Sequence, residues 1–413
     1  MIKSQWKTKL LFIIVALSII PMMSGCSAEQ DFDERLVTIT EPYRFNIGQW
    51  EFHTVLGEFG EFLSGGNEIT DNATSAAATY FSNVEQIKRL EWQIKAVKAG
   101  SRQGDLTALE EEYDELRQKN AELTDDVERL LESQIREALS EQGIYNPLHE
   151  YIRFNVHFPP VNFKMEKPPH LLVISPRDRI ESIREVALLP DMTIEEMESI
   201  EAALDSDYVS SLVVELGGMA TYPSFVTDLA DVRFILDTIG EEWLHQYLTF
   251  TPLGFYYVLD LAGIRPDYEI ATINETVASM VSKEIGGAVY AKYYAQNEED
   301  EAASGETESG FDFNREMREI RKAVDDYLAR GEIEQAEEFM EQKRQYLAEH
   351  GYHIRKLNQA YFAFHGTYAD SPTSISPIGV ELKKLRSQSE SLSDFLEDVV
   401  GITSRQDLAE KLQ

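Results

Sequence analysis

The feature that most constrains the fold is a seam of residues spaced alternately three and four apart between positions 106 and 130. This spacing is the heptad a/d pattern of a long helix that packs against another helix. A shorter run with the same spacing precedes it, and Gly100 and Gly104 lie between the two runs. The two runs are Ile87, Leu90, Ile94 and Val97, and then Leu106, Leu109, Tyr113, Leu116, Asn120, Leu123, Val127 and Leu130.

These runs predict an antiparallel coiled-coil hairpin over residues 83–140, because the glycines interrupt a helix that would otherwise be continuous. A continuous dimeric coiled coil is the alternative, and the glycine break argues against it. Asn120 falls at an a-like position, where Asn more often fixes the register than carries chemistry. We expect the hairpin to have a core largely of its own and to act as a spacer, a lid or an arm that docks a protein partner.

The first 26 residues combine a basic start, a short apolar run and a cysteine. Lys3, Lys7 and Lys9 accompany an apolar run from Leu10 to Ile20, which is too short to span a membrane comfortably. The sequence Met-Ser-Gly-Cys follows at 23–26 and resembles a lipobox, with Met where Leu is commoner. The resemblance implies cleavage after residue 25 and lipidation of Cys26, palmitate included. We therefore expect a lipid-anchored protein on the outer face of the bacterial cytoplasmic membrane, or on another extracytoplasmic membrane surface.

The charge of the chain limits its partners. It has 73 acidic residues against 38 lysines and arginines, for a formal net charge of −35. Such a surface is a poor partner for nucleic acid and for anionic lipid. We therefore expect a lipid anchor in the membrane and a peptide or protein as partners. Because Cys26 is the only cysteine, packing and not a disulfide must stabilise the fold.

The remaining patterns predict a mostly helical α+β fold. A tether and an N-terminal helix occupy residues 26–82, with a loop at 72–78, and a sheet with long helices occupies 141–295. The acidic stretch at 296–313 predicts a disordered insertion, and 314–413 a helical C-terminal part. The predicted strands are 151–158, 170–175, 185–189 and 209–214, and the predicted helices of these two parts are 193–204, 226–250, 253–262, 274–294, 315–328, 333–350, 354–368 and 380–399.

One segment carries the chemistry: Glu241-Glu242-Trp243-Leu244-His245. It matches the zinc-protease pattern H-E-x-x-H except at the first position, where Glu241 replaces His. On a helix, Glu241 and His245 share a face and can bind one metal ion, whereas Glu242 is turned away by about 100°. Because carboxylates also bind zinc, the change keeps a ligand while altering its chemistry. The alternative is an acidic, solvated helix face that happens to contain His245.

With its neighbours, this segment resembles the gluzincin metallopeptidases of aminopeptidase-like type. A strand-like run ends upstream at residues 217–220, and Asn274-Glu275 begins an apolar-periodic helix downstream. The resemblance covers Val209 to Gly287 and implies a zincin-like core, with a small sheet packed on an active-site helix. The implied roles are metal binding by Glu241, His245 and Glu275, general base catalysis by Glu242, and binding of substrate backbone by Gly217, Gly218, Met219 and Ala220.

Two carboxylate ligands in place of one should weaken the Lewis acidity of the metal. Zinc is the expected ion, and manganese or another divalent metal is more plausible here than in a His-rich site. In gluzincins, a Tyr or His from a later segment stabilises the oxyanion. Tyr361, His365 and Tyr368 share one face of a predicted helix, and Tyr361 and His365 are the predicted catalytic donors. The alternative is an aromatic core stripe.

The sequence therefore predicts a membrane-anchored, extracytoplasmic peptidase that hydrolyses peptide bonds with a metal-activated water. The alternative is a non-catalytic, zincin-like lipoprotein that binds a peptide or protein partner through its edge strand and its hairpin. Bound metal together with measurable hydrolysis would distinguish the two.

Overall fold

A computed structural model of the 413-residue chain describes residues 27–46, 73–98, 102–147, 155–205, 208–295, 311–369, 371 and 374–412. The chain divides into two compact units, Met1–Pro42 and Tyr43–Gln413. The first contains helix α1 (Ser27–Thr40), and a 3-10 turn (Glu41–Tyr43) follows it.

The second unit is an α+β structure in which most of the described residues are helical, as the sequence predicts. Its elements are helices α2 (Ala73–Lys98) and α3 (Leu106–Glu141), strands β1 (Phe163–Met165), β2 (His170–Pro176) and β3 (Arg184–Leu188), helix α4 (Ile194–Leu204), strands β4 (Val209–Glu215), β5 (Gly218–Met219) and β6 (Ser224–Val226), and helices α5 (Val232–Thr249), α6 (Pro252–Leu261), α7 (Tyr268–Tyr293), α8 (Phe313–Ala329), α9 (Ile333–Glu349), α10 (Gln359–Gly366), α11 (Ile378–Gln388), α12 (Leu392–Val400) and α13 (Arg405–Lys411).

The strands form two three-stranded sheets. Strand β2 is the centre of the first sheet and pairs antiparallel with β3 and β4. In the second sheet, β6 pairs parallel with β1 and antiparallel with β5. The run that ends in the glycine pair is therefore not one strand, because β4 ends at Glu215 and β5 begins at Gly218 in the other sheet. Val226, which was expected to begin a helix, ends β6, and α5 begins at Val232.

Several other predicted boundaries differ from the structure. No strand forms in 155–158, and the first part of that predicted strand, 151–154, lies outside the described residues. The predicted loop at 72–78 is wrong from residue 73, where α2 begins. The helix predicted at 380–399 is two helices, because Ser391 caps the start of α12. The other predicted strands and helices are present with shifted ends, and α4 begins with the expected capping box of Thr193 and Glu196.

Helices α2 and α3 form an antiparallel helical hairpin. Near its middle, Asn83 Nδ2 donates to Asn120 Oδ1 at 2.8 Å, and Asn120 Nδ2 donates to the Tyr80 carbonyl at 3.3 Å. Towards the turn, Lys98 pairs with Glu110 at 2.8 Å. Both polar ends of the buried Asn120 amide thus hydrogen-bond to α2, which is the arrangement of an Asn that favours one register of two helices.

The expectation that the hairpin has a core largely of its own is wrong for its base. Ten residues of the two helices belong to the main core together with residues of α5 and α7: Ala73, Ala77, Tyr80, Val84, Val127, Leu130, Leu131, Ile135, Ala138 and Leu139. A separate small cluster lies nearer the turn and contains Ile87, Leu90 and Leu116. Removing residues 84–139 would therefore expose the main core. Shortening the hairpin only near its turn, where α2 ends at Lys98 and α3 begins at Leu106, would leave the main core covered.

Some predictions fall on residues that the structure does not describe. These are the signal with Cys26, most of the N-terminal helix before residue 73, and residues 296–310 of the acidic insertion. Within the described ranges, no helix combines the length and apolar character needed to cross a membrane.

Helix α10 lies on the first sheet, where Ala360 clusters with Val173 of β2. The chain beyond α10 is tied to α7, because the Ala369 N–H donates to Thr276 Oγ1 at 2.9 Å. This hydrogen bond fixes the segment that follows α10 beside α7.

Helices α5 and α7 run antiparallel and approach each other closely through small residues. A Cβ on Gly240 of α5 would lie 3.3 Å from Cα of Ser282, and a Cβ on Gly286 of α7 would lie 3.0 Å from the backbone N of Asp237. These distances leave little room for a side chain between the two backbones. The crossing therefore sets the separation of the helices further along, where the candidate site lies.

Candidate metal centre

Helices α5 and α7 bring three potential ligands together. Glu241 and His245 lie one turn apart on α5, and Glu275 lies on the facing side of α7. One ligand atom from each lies within 4.8 Å of the other two, and His245 Nε2 is 3.5 Å from Glu275 Oε2. The His245 and Glu275 side chains are only 12% and 10% exposed. The three residues implied as ligands by the resemblance are thus neighbours in a largely buried position.

Asn274 orients the imidazole of His245. Asn274 Oδ1 lies 3.1 Å from His245 Nδ1, so a proton on Nδ1 would be donated to this oxygen while Nε2 faces Glu275. Metal-ligating histidines commonly have this arrangement, with one ring nitrogen bonded to an oxygen and the other directed at the ion. The Nδ2 atom of Asn274 is buried without a hydrogen-bond partner.

Two tyrosines enclose Glu275. The Tyr257 hydroxyl, from α6, donates a short hydrogen bond to Glu275, and the Tyr257 ring stacks on the His245 imidazole at 6.0 Å. The Tyr368 hydroxyl, from the segment after α10, lies close enough to Glu275 and Glu241 to lower the pKa of both carboxylates. Sequence reasoning missed Tyr257, because no local pattern relates α6 to the ligand on α7.

The charges of the cluster act strongly on one another. Burial lowers the pKa of His245, but the charge and hydrogen bond of Glu275, with the charges of the neighbouring glutamates, raise it to about 10. Burial raises the pKa of Glu241 to about 7. Burial also acts to raise the pKa of Glu275, but the charge of His245 and hydrogen bonds from His245 and both tyrosines hold it below its usual value. In the absence of a cation, the cluster holds an imidazolium against a carboxylate.

Glu242 lies beside the cluster on another face of α5. Its carboxylate approaches β5 so closely that a Cβ on Gly218 would lie 2.5 Å from Glu242 Oε1. Glycine at 218 is therefore needed for this contact. Burial raises the pKa of Glu242 to about 8, and His245 only partly opposes the shift. A carboxyl group with such a pKa can accept and return a proton near neutral pH.

The same face of α5 holds the β5–β6 hairpin in place. Gln246 Nε2 donates to Ser224 Oγ at 2.8 Å and also to the Thr221 carbonyl. A Cβ on Gly217 would lie 2.7 Å from the Phe234 ring of α5. Strand β5 is at the edge of its sheet as the described residues form it. The predicted substrate-binding residues Gly217, Gly218 and Met219 thus lie beside α5, and Ala220 is exposed after them.

Tyr361 and His365 do not join the cluster. Burial alone raises the pKa of Tyr361 to about 12 and lowers that of His365 to about 4, with no contribution from the glutamates. Their rings lie 4.3 Å apart, and Tyr361 packs on two apolar clusters. Helix α10 ends at Gly366, so the predicted stripe does not continue to Tyr368. Tyr368 instead meets the ligands, whereas Tyr361 packs as expected of an aromatic core stripe.

The donor set suits a divalent cation. With Nδ1 of His245 bonded to Asn274, three acceptors face one another: Nε2 and the carboxylates of Glu241 and Glu275. Such acceptors repel one another unless a proton or a cation lies among them. Imidazole and carboxylate groups both bind zinc and manganese. The 3.5 Å between His245 and Glu275 is close to the roughly 3.4 Å expected between ligands of a tetrahedral site with bonds of about 2.1 Å.

A cleft of about 640 Å³ lies away from these residues. Charged side chains line it, but they are paired: Arg177 binds Glu337, and Arg355 binds Glu201, each through two hydrogen bonds. One pair joins the residue after β2 to α9, and the other joins the chain before α10 to α4. We therefore interpret this cleft as a structural junction.

Comparison of the chain with protein-family models, with curated proteins and with solved structures found no match. The geometry of the cluster is therefore the basis for inferring function.

Proposed function

We propose that this chain is a metal-dependent peptidase with a zincin-like core of gluzincin type, in which Glu241, His245 and Glu275 hold one divalent ion. The observation that carries the proposal is the convergence of these side chains from two helices, with Asn274 behind the imidazole. Zinc is the proposed ion, and manganese or another divalent metal is the alternative, since two of the three ligands are carboxylates.

A divalent cation at this position supplies Lewis acidity, which polarises a carbonyl group and lowers the pKa of water. Glu242 supplies the base, because its carboxylate lies beside the cluster without belonging to it. Its pKa of about 8 would fall next to a cation, which favours the ionised, proton-accepting form at neutral pH. Glu242 takes a proton from the attacking water and returns it to the leaving amine, so that one peptide bond yields a carboxylic acid and an amine.

Among the described residues, Tyr257 and Tyr368 are hydroxyl groups that act directly on the ligand carboxylates. Burial and the surrounding carboxylates raise the pKa of both well above the usual value, so both keep their protons. Each hydroxyl has a single proton, so Tyr257 stabilises a developing oxyanion by turning its hydroxyl from Glu275 to the new oxygen. We assign this role to them in place of Tyr361 and His365, whose pKa values carry no contribution from the cluster.

The substrate backbone is proposed to lie along β5, as an added strand at the sheet edge. Strand β5 adjoins Glu242 at Gly218, where the absence of a side chain brings the backbone close to the base. Residues 217–220 would then hold the peptide while Glu242 acts on the water.

The location and partners remain proposals from the sequence. A lipid on Cys26 would anchor the protein on the outer face of the cytoplasmic membrane or another extracytoplasmic surface. The α2–α3 hairpin, as a coiled coil, would be the arm that contacts a protein partner. The net charge of −35 argues against nucleic acid.

The test is the metal content and peptide hydrolysis of the purified protein. Glu242→Gln should keep the metal but lower hydrolysis by roughly a hundredfold or more, since it removes a base and not a ligand. Glu284→Gln is the matched control, because it makes the same chemical change at a glutamate of α7 that pairs with Arg386 and does not belong to the cluster. The control should retain both properties. Full hydrolysis by Glu242→Gln would contradict the assignment of the base.

One observation favours a non-catalytic alternative, in which the chain binds a peptide or protein partner through β5 and the hairpin. The imidazolium of His245 already balances Glu275, so the cluster can be electrostatically satisfied without metal. Glu241→His separates the possibilities, because it restores the H-E-x-x-H pattern. If Glu241→His binds zinc and the unchanged protein does not, the non-catalytic alternative is supported. If neither of the two proteins binds zinc, the gluzincin resemblance is contradicted.

A further inference from the structure

Helix α6 is apolar along most of its length, yet little of it is buried. Asp260 is its only charged residue. Leu253 and Gly254 in its first turn are buried, whereas the apolar residues that follow are partly or largely exposed. Exposed apolar surface of this kind, next to polar groups that converge on one point, is typical of a ligand-binding site.

One side of α6 is continuous with the candidate metal centre. Tyr257 donates to Glu275, and its ring stacks on His245. Leu261 follows four residues later, so it lies on the same side of the helix one turn further along, and it is 59% exposed. Phe255 is 55% exposed but is turned from Tyr257 by about 160°, to the other side of the helix.

The charge around this side of α6 disfavours acidic ligands. Glu185 and Asp260 lie close enough to Tyr257 to act on its hydroxyl, as Glu275 does. An acidic side chain beside Leu261 would be repelled by these carboxylates. An apolar side chain would instead cover Leu261, and removing both apolar surfaces from water is favourable.

We propose that Tyr257 and Leu261 form a subsite that holds an apolar side chain of the peptide substrate. The subsite rests on the proposed function, because its contacts with Glu275 and His245 are what place it beside the reacting bond. One apolar side chain in such a subsite gives a preference of roughly tenfold to two-hundredfold. A peptide with leucine at the position that occupies the subsite should therefore bind at least about tenfold more tightly than its serine counterpart.

The test uses fluorescent hexapeptides of glycine and serine, with a single leucine at each position in turn. Binding is measured by anisotropy in protein that carries Glu242→Gln, so that the peptides stay intact, and cleavage is measured in the protein without that change. Leu261→Gln should abolish most of the preference for one leucine peptide. Phe255→Gln, an equally exposed change on the opposite side, should preserve it, and so should Leu261→Met.

The inference is overturned if no leucine position is preferred, or if Leu261→Gln and Phe255→Gln lower the preference equally. It is also overturned if Leu261→Gln lowers the urea midpoint of unfolding and leaves the preference intact, because the chain itself would then cover Leu261. A preference that depends on Leu261 in a protein without hydrolysis supports the subsite and contradicts the peptidase. Hydrolysis without any preference contradicts the subsite alone.

Discussion

The crossing of α5 and α7 offers a sharp test of how the fold positions the site. Gly286→Ala places a methyl group 2.1 Å from Asp237 Oδ1 and 3.0 Å from the Asp237 backbone N. The carboxylate oxygen is already buried without a hydrogen-bond partner, and the backbone cannot rotate aside. The helices must therefore separate by a few tenths of an ångström. Gly287→Ala, the neighbouring change, meets Arg233 Nη1 at 2.9 Å, and the end of this long side chain can move.

Two opposing effects set the expected change in the free energy of unfolding. Replacing Gly by Ala inside a helix stabilises it by about 1 kcal/mol at either position. Forcing a methyl group into a packed helix contact costs about 1–3 kcal/mol, and this cost applies to Gly286 but not to Gly287. Gly287→Ala should therefore raise the free energy of unfolding, whereas Gly286→Ala should leave it unchanged or lower it by up to about 2 kcal/mol.

Urea unfolding and zinc titration measure the two consequences. Asp237 precedes His245 by two turns on α5, so a shift at the crossing should reach the ligands and weaken zinc binding in Gly286→Ala only. Equal stability and equal zinc affinity in the two variants would refute the reasoning that this crossing sets the separation of the ligands.

Glu128→Gln should remove a pH-dependent loss of folding stability, which arises from ionising the buried Glu128 carboxyl group. Burial raises the pKa of Glu128 from 4.5 to about 7, so the loss is absent below pH 4.5 and grows as the pH rises to 7. The loss reaches on the order of 3 kcal/mol. Between pH 4.5 and pH 8, the free energy of unfolding of the variant, measured with urea, should therefore rise by this amount relative to that of the unchanged protein. An equal pH dependence of unfolding in the two proteins would contradict this. Glu201→Ala should cost about 3–5 kcal/mol, because Glu201 is 2% exposed and ion-paired, whereas Glu198→Ala, at an exposed position of the same helix, should cost under about 0.5 kcal/mol. Similar unfolding midpoints in these two variants would refute the comparison. Cys26→Ser should give an unprocessed or released protein, and unchanged membrane fractionation and lipid labelling would rule out the anchor.

Local patterns predicted what depends on the geometry of one helix. The spacing of Glu241 and His245 is sufficient to put both on one face, and Thr193 with Glu196 is sufficient to mark a helix start. The mutual position of Asn83 and Asn120 could not be derived in this way, although the seam indicated that two helices would pair.

What depends on packing between distant segments was missed or misplaced. Tyr257 reaches Glu275 only because α6 folds back on α7, and no spacing in the sequence encodes that contact. Tyr368 was grouped with Tyr361 on one helix face, but α10 ends before it, and the chain beyond α10 is held on α7 by a hydrogen bond to Thr276. The sequence predicted that Gly217 and Gly218 end a strand. In the structure, Gly218 begins β5, and its backbone passes close to the Glu242 carboxylate.

Titration of the metal-depleted protein with Zn²⁺ at pH 8 tests the central claim most directly. Isothermal calorimetry should show one ion bound per chain, with binding abolished in His245→Ala and in Glu275→Gln but retained in Glu284→Gln. Affinity should fall as the pH is lowered, because the proton on His245 competes with the ion. No binding by the unchanged protein, or undiminished binding by His245→Ala, would contradict a metal centre formed by Glu241, His245 and Glu275.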